Sequence, residues 1–322
     1  MRIYTTISVT LALALSAISV ETFAQSESFD AGKATFKVSF KEEVSQFEIM
    51  GLFVLPGEEV HLKVSDYQAG VTFKFHSDQA PPVNVDTVGW RWKAPASAGL
   101  YSLWVEQQNP ADTMRFNVFV MVPLDSVKGE YLNGYHIGRY PEIPLKKLAI
   151  YKKPRGFIEV TEENQNTLVS PHFTIAQFLC KQDGGYPKYL VLRTRLLRKL
   201  ERILEEVNRK GYACQTFHIM SGYRTPYYNK AIGNVKYSRH VWGGAADIFI
   251  DENSVDGMMD DINGDGSHTY KDAEILYNII DDLYGKAWYK PFQGGLGWYR
   301  KTNSHGPFVH VDVRGFRARW GD

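Results

Sequence analysis

The sequence has little cysteine: Cys180 and Cys214 are the only two in 322 residues. So low a count excludes a scaffold held together by several disulfides. Whether these two thiols bridge each other is left open by the sequence, because a disulfide requires the two Cα atoms to come close in space.

Net charge is also nearly absent. The formal charge is +1, and Lys and Arg are spread along the chain instead of being massed in one block. This distribution gives no electrostatic basis for binding nucleic acid. Apolar residues are plentiful by contrast: 44% of the chain is hydrophobic and 14% is aromatic, which is enough to fill the cores of two domains.

Long apolar runs are missing except near the N-terminus, where residues 7–20 follow Arg2. This run is shorter than the roughly 20 residues of a membrane-spanning helix. Small and polar residues come next, which is typical of a signal peptide. We therefore expect residues 1–24 to be a signal peptide cleaved after Ala24, leaving an exported protein, periplasmic or extracellular, with no membrane span in the mature chain. An uncleaved membrane anchor is the alternative.

Residues 31–124 contain short segments in which apolar and polar side chains alternate. The clearest are 34–40, 59–64, 89–95 and 99–105, and turn residues separate them. Alternation with period two, interrupted by turns, predicts an all-β, immunoglobulin-like sandwich. It contains no catalytic cluster, so we interpret it as a binding or spacer module whose partner is unknown.

After residue 124 the sequence pattern changes twice, first to a segment without periodicity and then to a segment with helical spacing. Residues 125–170 have several prolines and no sustained periodicity, which predicts a linker packed on a domain surface. Apolar residues at helical spacing between Leu192 and Val207, with Gly211 as the stop, predict a helix. Segments typical of strands and helices follow it in mixed order. We predict an α+β domain, an antiparallel sheet with helices, over residues 171–322.

Two segments of this domain carry groups suited to chemistry. His240 precedes a glycine-bearing turn, and Asp247 follows inside an apolar strand, where a bare carboxylate is costly to bury without a metal ion or hydrogen-bond donors. In the predicted strand 308–313, alternation places His310 and Asp312 on one face. Two histidines and a carboxylate can supply the three protein ligands of a catalytic zinc ion.

Together these motifs resemble a known family. The pattern Ser-x-His-x-x-Gly-x-Ala-x-Asp at 238–247, the later His-x-Asp strand and the earlier Ser-Gly-Tyr-Arg at 221–224 resemble zinc D-alanyl-D-alanine carboxypeptidases and murein endopeptidases. That family is related in fold to the VanX and VanY dipeptidases and to the hedgehog signalling domain. The resemblance covers about residues 170–320. It implies that His240, Asp247 and His310 bind Zn²⁺ and that the substrate is a peptidoglycan peptide.

The resemblance also implies roles around the metal. The arginine that matches Arg224 faces the metal in the family, where it stabilises an oxyanion or binds a substrate carboxylate, as a planar guanidinium can. Tyr223 and Ser238 are weaker candidates for contacting substrate in the cleft.

The motif leaves two candidates for the general base. Several relatives have a glutamate three positions before the last histidine ligand, where this chain has Pro307. Asp312 is the favoured base, or else a carboxylate that orients a ligand, and His305 is the competing base.

A separate pattern predicts a structural calcium ion. Residues 261–272 have oxygen-bearing side chains at loop positions one, three, five, nine and twelve, with glycine at six. This spacing resembles a dockerin-type EF-hand loop, although His268 departs from the apolar residue usual at position eight. The implied ligands are Asp261, Asn263, Asp265, the Ser267 carbonyl, Thr269 and Asp272.

Taken together, the sequence predicts a zinc-dependent peptidase that hydrolyses peptide bonds in peptidoglycan stem peptides or cross-links. It does not distinguish a carboxypeptidase from an endopeptidase, nor a D,D bond from an L,D bond. The alternative is a non-catalytic, metal-containing module that binds the cell wall or a protein.

Overall fold

The computed structural model describes residues 28–79 and 81–321. The predicted signal peptide, residues 1–24, lies outside the described residues. None of the helices in the described part of the chain has the length and hydropathy needed to span a bilayer. Strands predominate over helices, which agrees with a sheet-rich domain followed by a peptidase domain.

Two sheets form the N-terminal part. Their strands, in chain order, are β1 Lys33–Phe40, β2 Glu43–Phe47, β3 Ile49–Val54, β4 Glu59–Ser65, β5 Thr72–Ser77, β6 Val83–Asp86, β7 Gly89–Lys93, β8 Gly99–Gln108 and β9 Asp112–Val120. One sheet has the order β2-β1-β4-β7-β6 and the other β3-β9-β8-β5. Rings from the two sheets meet between them: the Phe40 and Phe116 centroids lie 5.1 Å apart, and Phe75 stacks on Trp90 at 5.5 Å. The predicted period-two alternation therefore buries one face of each sheet.

Residues 125–170 differ from the linker expected there. The segment between the sandwich and the first long helix contains β10 Val122–Pro123, β11 Tyr131–Leu132, β12 Tyr135–His136, β13 Gly156–Val160, β14 Leu168–Ser170, β15 Phe173–Thr174 and β16 Lys188–Leu190. It also has 3₁₀ helices at Leu124–Ser126, Leu145–Lys147, Ala149–Tyr151 and Ile175–Phe178. β13 pairs with both β10 and β16, and its Phe157 and Ile158 are fully buried. Such short elements give no sustained periodicity, so the sequence does not reveal that this segment belongs to the core.

The C-terminal part is built on a second five-stranded sheet. Its strands are β17 His218–Ser221, β18 Ala245–Phe249, β19 Gly295–Tyr299, β20 Phe308–Asp312 and β21 Ala318–Gly321. The order is β17-β18-β20-β19-β21, and neighbours are antiparallel except β19 and β21, which are parallel. The helices are α1 Thr194–Arg209, α2 Pro226–Ala231 and α3 Tyr270–Asp281, with 3₁₀ helices at Arg239–Trp242 and Ala287–Phe292.

Helix α1 joins the two parts. Its apolar face is buried as the spacing predicts, and the helix is followed by Gly211, whose φ of +92° lets the chain turn away. Arg198 of α1 forms an ion pair with Glu43 of β2, and the Thr194 hydroxyl donates to the Gly51 carbonyl of β3 at 3.3 Å. The sandwich and the C-terminal sheet consequently share one continuous hydrophobic core.

A lysine is buried within that shared core. The Nζ of Lys199, on α1, donates to the Asp312 carbonyl at 2.8 Å and lies 5.5 Å from the centroid of the Tyr289 ring. Burial lowers the pKa of this ammonium to about 7, and the nearby Asp312 only partly offsets the effect.

This lysine should make stability depend on pH. Above about pH 7 the folded protein releases the Lys199 proton, whereas the unfolded chain keeps it up to about pH 10.4. The unfolded state then binds more protons, so the free energy of unfolding should rise with pH, by at most about 1.4 kcal/mol per pH unit. Urea unfolding of the wild type and Lys199→Met between about pH 7 and 9 measures this. Equal slopes in the two proteins would contradict the prediction.

Candidate metal site and cleft

Sheet register and one tight turn bring three metal-binding side chains together. Asp247 of β18 lies directly opposite His310 of β20. His240 comes from the 3₁₀ helix Arg239–Trp242, which ends at Gly243 with φ +59°. A Cβ at that glycine would overlap the Val191 carbonyl, so only glycine lets the chain return to the sheet here.

The three side chains converge on one point. His310 Nδ1 lies 2.7 Å from Asp247 Oδ1, His240 Nε2 lies 3.2 Å from the same oxygen, and the two nitrogens are 3.2 Å apart. All three residues are buried. Within residues 28–79 and 81–321, this is the one group of three or more His, Cys, Asp or Glu side chains arranged to hold a metal ion.

The hydrogen bonds on the far side of each ring support a metal at this point. His240 Nδ1 donates to the Gly222 carbonyl at 2.6 Å, which leaves the lone pair on Nε2 facing Asp247. His310 Nε2 donates to Asp312 at 3.4 Å, which leaves its Nδ1 lone pair facing the same carboxylate. Three electron-rich atoms facing one another repel unless a cation, either a proton on His310 or a metal ion, lies between them. Two imidazole nitrogens and one carboxylate oxygen are a donor set that fits zinc.

The pKa shifts favour the metal-binding protonation state at Asp247 and His240 and oppose it at His310. Burial alone would raise the pKa of Asp247, but His240 and His310 outweigh it and hold that pKa well below the usual range. Burial lowers the pKa of His240, so its ring is neutral. Burial would also lower the pKa of His310, but its bonds to Asp247 and Asp312 raise it. His310 is therefore the ligand from which a metal would displace a proton.

Arg224 fixes the other side of the Asp247 carboxylate. Its Nη2 donates to Asp247 Oδ2 at 2.7 Å, and its Nε donates to the Ser221 hydroxyl at 2.8 Å. The carboxylate is thereby turned so that Oδ1 faces the histidines. Arg224 also lines the cleft beside the metal-binding group.

Asp312, favoured from the sequence as the base, lies behind His310 and away from the cleft lining. It is fully buried and accepts from the backbone N–H groups of Gly295 and Arg314, both at 2.9 Å, and from the Arg314 guanidinium. Burial would raise the pKa of Asp312, but His310 and Arg314 outweigh it and hold that pKa well below the usual range. A carboxylate so placed cannot accept a proton from a molecule in the cleft, and it orients the His310 ring instead.

The other predicted residues divide between cleft and core. His305 and Ser238 line the cleft, which encloses about 790 Å³. Tyr223 does not: it is 1% exposed and its hydroxyl bonds with that of Tyr140 at 2.8 Å, so it supports the cleft from below without reaching substrate. A second cavity of about 600 Å³ adjoins the first and shares Tyr228 with it.

Several cleft residues were not expected from the sequence. Aromatic walls are formed by Tyr151, Tyr237, Tyr299 and Trp320, and two further arginines, Arg239 and Arg314, lie among the lining residues. The period-two rule would have found Arg314, which follows Asp312 by two positions. The structure also explains the glycine at 297, because a Cβ there would overlap the Trp320 indole.

The two cysteines remain separate. Cys180 and Cys214 are both free thiols and both are buried. The bridge that the sequence left open is absent between them in this structure.

The predicted calcium loop is held by its own backbone. The Asp261 carboxylate accepts the N–H groups of Gly264 at 2.8 Å and Gly266 at 2.6 Å. Asp272 accepts from Thr269 at 2.8 Å in the first turn of α3. In the described part of the chain these carboxylates do not form a metal-binding group like that of the histidine site.

Comparison with known proteins supports the peptidase interpretation. The family model for Peptidase M15 matches residues 171–268, a span that contains Arg224, His240 and Asp247 and ends before His310. The match supports a metallopeptidase in the C-terminal part. No curated protein matches the chain. Among solved structures, the titin M3 domain matches with 12% identity and a TM-score of 0.18, covering 27% of this chain and 98% of that one.

Loss of the carboxylate behind His310 should weaken metal binding. Asp312→Asn removes the charge that orients the ring, so zinc affinity should fall by roughly 10–100-fold, as for other groups that hold a ligand in place. Competition titration with a zinc-binding dye measures this. Asp281→Asn is the control, because it also breaks an arginine pair but makes no bond to His310. Equal affinity in the Asp312→Asn and wild-type proteins would contradict the orienting role.

Proposed function

We propose that this chain is a zinc-dependent peptidase that hydrolyses peptide bonds in peptidoglycan stem peptides or cross-links. The observation that carries the proposal is the convergence of His240, Asp247 and His310 at the wall of an open cleft. The Peptidase M15 match over residues 171–268 supports the reaction class. The substrate class rests on the resemblance of the motifs at 221–224, 238–247 and 310–312 to cell-wall peptidases.

In this proposal the two histidines and Asp247 hold the zinc ion. When bound, zinc supplies Lewis-acid chemistry, polarising a carbonyl and making a water molecule more acidic. Arg224 lies beside the ligands, and its guanidinium donates toward the oxygen on which negative charge develops as the carbonyl is attacked. Its bonds to Ser221 and Asp247 hold it in place before substrate arrives.

His305 is the general base in this proposal. Its Nδ1 donates to the Gly306 carbonyl at 2.8 Å, so the unprotonated nitrogen is Nε2. The ring packs edge-on against Phe308 with centroids 5.0 Å apart, and a bond from Thr302 N–H to the His305 carbonyl at 2.9 Å closes the loop that carries it. An imidazole in the cleft lining can take a proton from water and return it to the leaving amine.

The direct test is digestion of purified peptidoglycan by the zinc-loaded protein. Mass spectrometry should show new peptide fragments, because the cleft, the ligands and Arg224 are all in place. Fragments should vanish with His240→Ala and with a chelator. His305→Gln should retain zinc but lower kcat by roughly 10²–10⁴-fold, which is the range for loss of a general base.

The outcome that overturns the proposal is equally clear. Stoichiometric zinc in the wild type without any released fragment would favour a non-catalytic, metal-containing module that binds the cell wall or a protein. Unchanged turnover in His305→Gln would remove that residue from the mechanism and leave the metallopeptidase proposal intact.

Export and the N-terminal sandwich complete the proposal. The sequence of residues 1–24 supports secretion to the periplasm or beyond, where peptidoglycan lies. The immunoglobulin-like sandwich of residues 31–124 is proposed as a spacer or binding module, and its own partner is unknown.

The proposal includes a structural calcium ion in the loop at 261–272. The support for calcium is the EF-hand spacing of the loop. One contact opposes it: Lys271 Nζ lies 3.2 Å from Asp265 Oδ2 and would compete with a cation for that oxygen. Calcium should raise the Tm when it is titrated into zinc-loaded protein kept in calcium-free buffer. The expected dissociation constant is about 10⁻⁴–10⁻³ M, which is typical of extracellular sites. Asp261→Asn should abolish the shift. A wild-type Tm that does not respond to about 10 mM calcium would contradict the site.

A further inference from the structure

Two surface segments beside the cleft are rich in lysine. Residues 141–153 contain four lysines and one carboxylate, and residues 230–237 contain two lysines and no carboxylate. These two segments, which we call the basic rim, therefore carry a formal charge of +5. The whole chain carries +1, so all other residues sum to −4. Positive charge concentrated in this way on a nearly neutral protein creates a local potential that attracts anions.

The fold brings the two segments together, although they lie far apart in the sequence. The Tyr237 hydroxyl donates to the Ile143 carbonyl at 3.1 Å, and the ring centroids of Tyr237 and Tyr151 lie 5.8 Å apart. Leu145 from the first segment and Val235 from the second line the same cleft. The basic rim is therefore one surface at the mouth of the cleft, and the sequence does not show its charge as a single block.

The lysines of the basic rim point their charge at solvent. All six are exposed: Lys146, Lys147, Lys152, Lys153, Lys230 and Lys236. Within the described residues, Lys153 is the one that forms an ion pair, with Glu142 at 2.6 Å. Lys236 Nζ lies 5.8 Å from the centroid of the Tyr237 ring. The charge of five lysines is thus left for an anion outside the protein.

Large aliphatic side chains are exposed among these lysines. Ile143 is 73% exposed, Val235 69% and Ile232 48%. Single exposed aliphatic residues are ordinary, but a group of them rimmed by polar residues marks an interaction surface. Lysines attract anionic headgroups, and aliphatic side chains enter the boundary between headgroups and acyl chains. A soluble polyanion offers aliphatic side chains no apolar phase, so the combination favours a lipid surface.

We propose that the basic rim docks the protein on a membrane surface that contains anionic phospholipid. The lysines contact the headgroups, and Ile143, Ile232 and Val235 enter the bilayer interface. Because Leu145 and Val235 also line the cleft, docking places one side of the cleft mouth against the membrane. The inference does not depend on the proposed function, since it concerns where the protein acts and not which bond it cuts.

The test is sedimentation of the zinc-loaded protein with lipid vesicles. The protein should bind vesicles of phosphatidylglycerol and phosphatidylcholine in equal parts far more tightly than vesicles of phosphatidylcholine alone. Lys146→Gln combined with Lys147→Gln should lower the partition coefficient roughly 25-fold, because each lysine near an anionic surface contributes roughly fivefold. Ile143→Ser combined with Val235→Ser should lower it by roughly tenfold or more, because apolar area then stays outside the bilayer.

Matched controls come from exposed residues outside the basic rim. Lys74→Gln combined with Lys93→Gln removes two exposed lysines of the sandwich. Val83→Ser combined with Val255→Ser removes two aliphatic side chains that are 53% and 80% exposed. Both controls should bind vesicles like the wild type. All the substituted side chains are exposed, so every variant should keep the wild-type Tm, and an unchanged Tm separates weaker binding from unfolding.

Three results would overturn the inference. The first is a lack of binding to the anionic vesicles at low salt. The second is binding to soluble polyphosphate as tight as binding to vesicles and unaffected by Ile143→Ser with Val235→Ser, which would assign the basic rim to a polyanion. The third is an equal loss of binding in the rim variants and the controls. The peptidoglycan digestion described above is independent of all three, so either proposal can fail alone.

Discussion

The arrangement of the C-terminal part depends on one constraint: a carboxylate is buried in the middle of an apolar strand. Asp247 is flanked along β18 by buried alanine and isoleucine, so its charge must be met by groups from other elements. β20 contributes His310, the turn after Ser238 contributes His240, and the end of β17 leads into Arg224. The carboxylate thus ties together the elements that also line the cleft.

A second set of hydrogen bonds holds the two histidine rings from the side that faces away from Asp247. The Gly222 carbonyl selects the His240 tautomer, and Asp312 selects that of His310. Asp312 is held in turn by the backbone at Gly295 and by Arg314. Each ring is therefore fixed in orientation before any ligand arrives, which is the preorganisation that metal sites require.

The sequence anticipated the parts that depend on local pattern. The α1 periodicity reflects burial on one face of a helix. The apolar run at 245–250 and the alternation at 308–313 predict two strands, and both are found, as β18 and β20, although every residue of these strands is buried. The sequence does not show which side chains from distant segments cover a residue. Asp312 shares a face with His310 but is enclosed by β19 and Arg314, and Tyr223 is covered by Tyr140. Arg239 occupies a variable position of the motif at 238–247, so the motif assigns no role to it. Short strands between 122 and 190 lack the length to show a period.

The parallel pair of β19 and β21 has a consequence for biosynthesis. Trp320 on β21 packs over Gly297, donates to the Tyr299 hydroxyl at 2.7 Å and lies with its ring centroid 5.3 Å from that of His310. Part of the cleft wall is therefore formed by Trp320 of β21, which is translated after every candidate metal ligand. A nascent chain that already holds all three metal-binding side chains still lacks this wall. The cleft is therefore complete only once the chain has been made as far as Trp320.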